Sequence, residues 1–66
     1  MMRSIMIEAE PDETGMHKLV AVDPCEEFLT NCRFSTVYLQ EMEAGGWRKL
    51  AHPTDANLIV YFREIN

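Results

Sequence analysis

Asp23-Pro24-Cys25-Glu26-Glu27-Phe28-Leu29-Thr30-Asn31-Cys32 is the clearest helix signal in the chain. Asp23 can cap free backbone N–H groups, Pro24 suits the first helical position, and Glu26 completes a capping box. Glu26 and Glu27 also favour the positive end of a helix dipole. Cys25, Phe28, Leu29 and Cys32 recur at helical spacing and form one apolar stripe. The pattern predicts a helix over 24–32, with Arg33 near its negative end. A single helix among strand-like segments makes the fold class α+β.

On the N-terminal side, Ile5, Ile7 and Ala9 alternate with Ser4, Met6 and Glu8, which predicts a strand over 3–9. Glu10-Pro11-Asp12-Glu13-Thr14-Gly15 has turn chemistry, because proline presets φ and glycine allows a left-handed conformation. A second strand is expected over 16–22, with Leu19 and Ala21 on one face and Val20 and Val22 on the other. The pair reads as a hairpin.

On the C-terminal side, Ser35-Thr36-Val37-Tyr38-Leu39 is rich in strand formers, while Phe34, Tyr38 and Met42 also fit helical spacing. The preferred reading is a strand over 34–43, with Ala44-Gly45-Gly46 a hairpin turn into a strand over 47–51. His52-Pro53-Thr54-Asp55-Ala56 is a second turn. Leu58-Ile59-Val60-Tyr61-Phe62 is a continuous apolar run, expected to be a central strand buried on both faces. The expected order is ββαβββ, a small antiparallel-rich sheet with one helix packed across it. The alternative is a continuous helix over 24–44, which gives ββαββ.

At 66 residues the chain is expected to be one domain, 1–66, with a marginal core. The net charge is −5 and the isoelectric point is near 4.8. Direct nucleic-acid binding and anionic membrane surfaces both need a positive field and are disfavoured. Among Arg3, Lys18, Arg33, Arg48, Lys49 and Arg63, only Arg48 and Lys49 are adjacent, too thin a basic footprint for nucleic acid. No apolar run has the length of about 20 residues that a membrane span needs. The acidic Glu8 comes too early for a signal peptide, so a cytoplasmic location with reduced thiols is expected.

The chemistry-bearing residues are sparse. Cys25 and Cys32 match no zinc or thioredoxin spacing, and on one helix they stand about 10.5 Å apart along the axis, too far for a bridge. They read as small buried hydrophobes, although Cys25 at a helix N-terminus is also a candidate reactive thiol. His17 and His52 read as surface or turn residues. Glu8, Glu10, Asp12 and Glu13 cluster at the first turn without the glycine placement of a calcium loop. No Walker loop, dinucleotide fingerprint, nucleophile elbow or zinc-protease motif occurs.

These features point away from an enzyme and call for no metal or cofactor. The leading expectation is a small acidic protein-binding module of regulator or inhibitor type. Trp47 and Arg48 are its candidate anchors, and Glu10, Asp12 and Glu13 its acidic face. A homo-oligomeric accessory subunit, in which the chain is its own partner, is the first alternative. An acidic nucleic-acid mimic that inhibits a DNA- or RNA-binding protein is the second. A minimal cysteine enzyme or thiol sensor is a more distant one.

Overall fold

A computed structural model describes residues 1–24 and 32–65. Among these residues it shows a small α+β fold with one helix on a five-stranded antiparallel sheet. The elements are β1 (Met2–Glu8), β2 (Met16–Asp23), β3 (Arg33–Ser35), α1 (Thr36–Ala44), β4 (Arg48–Ala51) and β5 (Leu58–Glu64). The sheet order is β3-β2-β1-β5-β4, so α1 carries the chain from one edge of the sheet to the other.

The N-terminal hairpin forms as the alternation predicts. Asp12 organises its turn: the Oδ1 atom accepts from the Thr14 N–H at 2.9 Å, the Thr14 hydroxyl at 2.6 Å and the Met16 N–H at 3.1 Å. Gly15 turns the chain at φ 80°, a conformation that favours glycine. One detail of β2 differs from strict alternation. Met6 pairs with Ala21 and Ile7 with Leu19, so Val20 is an extra residue at a bulge. The bulge puts Leu19 and Val22 on the same face, opposite Ile7 and Ile5, rather than on opposite faces.

Among the described residues the elements run βββαββ, and one segment expected to be a strand differs. The strand expected over 34–43 is confined to its first residues, and Thr36–Ala44 is helical. Local capping outweighs the strand propensity of Thr36, Val37 and Tyr38. Ser35 is the N-cap, and its hydroxyl oxygen accepts from the Tyr38 N–H at 3.0 Å. At the other end, the Trp47 N–H reaches the Met42 carbonyl at 3.0 Å and the Gly46 N–H reaches the Glu43 carbonyl at 3.2 Å. Those two bonds, with Gly46 at φ 105°, are a Schellman cap. Ala44-Gly45-Gly46 is therefore a helix end rather than a hairpin turn. The alternative continuous helix over 24–44 is interrupted by β3. The helix expected over 24–32 falls on residues 25–31, which lie outside the described residues.

The core lies between α1 and one face of the sheet. Ile5 and Ile7 from β1, Tyr61 from β5, and Leu39 and Met42 from α1 are its buried members. Leu19, Phe34, Trp47 and Ile59 pack around them. Leu39 and Met42 stand three residues apart on the helix and so share a face. Trp47, two residues beyond the helical cap, meets the same cluster, the hydrophobic contact that accompanies a Schellman cap.

His17 is corrected from a surface to a core residue, at 6% exposure. Its Nδ1 lies 2.8 Å from the Glu8 carbonyl oxygen and its Nε2 lies 3.0 Å from Thr36 Oγ1. A carbonyl only accepts, so Nδ1 carries the proton, and in the neutral ring Nε2 accepts from the Thr36 hydroxyl. The imidazole thereby ties the end of β1 to the first turn of α1. Among the described residues no buried side-chain nitrogen or oxygen lacks a hydrogen-bond partner.

Candidate docking surface

α1 covers one face of the sheet; among the described residues no helix covers the other, here the helix-free face, and the register defines the residues on it. Ser4, Met6 and Glu8 of β1 alternate with the buried Ile5 and Ile7 and face away from the helix. Their partners on β5 are Phe62, Val60 and Leu58, and those on β2 are Asp23 for Ser4 and Ala21 for Met6. On β4, Arg48 stands beside Phe62 and Leu50 beside Val60. One row therefore runs Ala21, Met6, Val60, Leu50 across four strands, with Phe62 and Leu58 in the rows on either side and Met2 beyond Ser4 on the same face. β5 was expected to be buried on both faces, but Tyr61 is its one buried residue. Val60 and Phe62 are half-buried, and Leu50 and Met2 are 56% and 50% exposed.

This face differs from the rest of the molecule in charge. Its basic residues are Lys18, Arg33 and Arg48, and its acidic residues are Glu8, Asp23 and Glu64. Acid and base balance here, while the chain as a whole carries −5. Asp23 and Arg48 stand at the two ends of the row next to the apolar one, Asp23 on β2 and Arg48 on β4. Arg33 makes an exposed ion pair with Asp12 at 3.2 Å.

The sequence-predicted residues do not form one patch. Trp47 is half-buried with its ring against the core, whereas Arg48 projects from the helix-free face. Glu10 and Glu13 are exposed at the first hairpin. Glu10 shares a cavity of about 320 Å³ with Glu8, Asp55, Asn57 and Leu58. Asp12 is engaged within its own turn. The Thr14 hydroxyl, then the Met16 N–H, hold its carboxyl below the ordinary value of 3.8, and the Arg33 charge adds to them. Trp47 with Arg48 thus sits at one end of the sheet and the acidic turn elsewhere.

Cys32 is a half-buried free thiol beside a second cavity of about 320 Å³, lined also by Met16, Phe34 and Tyr38. The rings of Phe34 and Tyr38 stack there, with centroids 5.7 Å apart. Cys25 lies outside the described residues. His52 is a turn residue, as expected: its Nδ1 accepts from the Thr54 and Asp55 N–H groups at 3.2 and 3.1 Å.

Sequence reasoning missed the helix-free face because every residue from Leu58 to Phe62 is apolar. Periodicity then cannot tell a covered face from an open one. The available signal was Met6 and Leu50, apolar residues at positions that alternate away from a core. No helix among the described residues is long and apolar enough to cross a membrane. No protein-family model, curated protein or solved structure matches this chain.

Proposed function

We propose that this chain is a small non-enzymatic protein-binding module, and that it binds through the helix-free face of its sheet. One observation carries the reading: the apolar row Ala21, Met6, Val60, Leu50 crosses the sheet on the side away from α1. A sheet with both faces apolar gains by covering the second. The side chains in the row supply contact area and no nucleophile, acid or base. Arg48 is positioned to act as a polar anchor at the margin of the row, whereas Trp47 contributes by holding the end of α1 under it.

The test is affinity capture with wild type, Leu50→Lys and Glu13→Ala immobilised in parallel. Leu50 is on an edge strand and mostly exposed, so a lysine there leaves the fold intact. The expected result is a partner retained by wild type and Glu13→Ala and lost by Leu50→Lys. Retention by Leu50→Lys with loss by Glu13→Ala would move the binding surface to the acidic hairpin and overturn the reading.

A further inference from the structure

We infer that the occupant of the helix-free face is a second copy of this chain, packed sheet to sheet about a two-fold axis. This inference rests on the docking surface proposed above and names its partner. The axis runs parallel to the strands, between β1 and β5. Two sheets related in this way keep their strands aligned to within about 30° and stack about 10 Å apart. The rotation carries each strand onto the column equally far from the axis on the other side. β1 then covers the partner's β5, and β2 covers the partner's β4.

Complementarity follows from the register. Met6 and Ala21 lie in one row with Val60 and Leu50. Under the rotation Met6 meets the partner's Val60, and Ala21 meets the partner's Leu50, small against large. In the next row Asp23 pairs with Ser4, Ser4 with Phe62 and Phe62 with Arg48. The rotation brings Asp23 onto the partner's Arg48, and because the contact is isologous it does so twice. A protein of charge −5 repels its own copies in general, but this face carries equal numbers of acids and bases and presents opposite signs where the copies meet.

The overlap is that of a weak dimer. The seven-residue β1 and β5 cover each other's copies, the eight-residue β2 meets the four-residue β4, and β3 has no counterpart. At about 3.4 Å per residue and about 4.8 Å between strands the overlap is roughly 350 Å² per copy and roughly 700 Å² in all, the size of a transient contact.

The experiment is sedimentation equilibrium on the full chain from about 1 to 200 μM. The expected result is a concentration-dependent rise from 7.6 kDa towards twice that mass. Leu50→Lys should weaken association by about tenfold or more while leaving the far-UV circular dichroism unchanged. Asp23→Arg and Arg48→Asp should each weaken it, and the double variant should restore it. A constant 7.6 kDa at every concentration overturns the second copy as occupant. It does so independently of the capture experiment, which reads the docking face itself. A dimer that Leu50→Lys leaves intact, or a double charge swap that fails to restore association, overturns the proposed geometry.

Discussion

The two consecutive glycines that end α1 should respond in opposite ways to the same substitution. Gly45 has φ −86°, which any residue adopts, and a Cβ built there meets the Glu41 and Met42 carbonyl oxygens at 3.4 and 3.5 Å, ordinary contact distances. Gly45→Ala therefore adds no strain and narrows the unfolded ensemble, a gain of about 0.4–1 kcal/mol. Gly46 has φ 105° with open space around it, so Gly46→Ala meets no neighbour and the whole penalty is backbone strain. Forcing an L residue into a left-handed conformation costs about 1–2 kcal/mol. The two variants should thus differ by about 2 kcal/mol. In a domain of this size 1 kcal/mol moves the melting temperature by about 4–8 °C, so their midpoints should stand about 10 °C apart with wild type between them. Thermal melts by circular dichroism at low micromolar protein read this directly. Midpoints that coincide, or a Gly45→Ala variant less stable than Gly46→Ala, would refute the Schellman assignment and with it the account of where the helix ends.

Three further outcomes follow from the hydrogen bonds and titrations. Because the folded Asp12 carboxyl is held below 3.8, its contribution is present above the unfolded value and lost as pH falls through the folded one. Asp12→Asn should therefore flatten the acid limb of urea stability between about pH 5 and 2, and an unchanged slope would show that the turn does not depend on that charge. Burial, with Glu43 nearby, raises the Tyr61 phenol above 10.0, so stability should be full below that pH and fall as pH rises through the shifted value. Tyr61→Phe should lose that alkaline decline, as followed by unfolding at pH steps above neutrality. His17→Phe removes the donor to the Glu8 carbonyl and the acceptor for Thr36, and should cost about 1–3 kcal/mol in chemical denaturation. A cost within error would mean that the imidazole is not bridging β1 and α1.

The N-terminal hairpin was legible because its apolar and polar residues alternate and its turn carries both proline and glycine. The position of the described helix was not, because its cues are distributed differently. Thr36, Val37 and Tyr38 favour strands one by one, and only the cap bond from Tyr38 to Ser35 and the burial of Leu39 and Met42 tip the segment into a helix. Gly45-Gly46 followed by an aromatic residue suits a hairpin as well as a helix end, and the deciding contact, Trp47 on the core, is tertiary. The bulge at Val20 has no sequence mark, since four apolar residues in a row permit either register. For the candidate site, Arg48 was visible as an exposed charge beside a strand. The helix-free face was not, since its apolar row draws one residue from each of four strands and exists only once the sheet order is known.

That sheet order also bears on how the protein assembles. The central strands, β1 and β5, are the first and last in the chain, and partners such as Ile5 and Tyr61 meet only after nearly the whole sequence has closed into a loop. The local hairpins can form early, but neither has a neighbour to complete its buried face until that long closure occurs. Such non-local topology slows folding relative to helical proteins of equal size. On the ribosome, the apolar side of β1 stays exposed while everything between it and β5 is synthesised, which makes the last strand the commitment step and the nascent chain before it a natural client for chaperones.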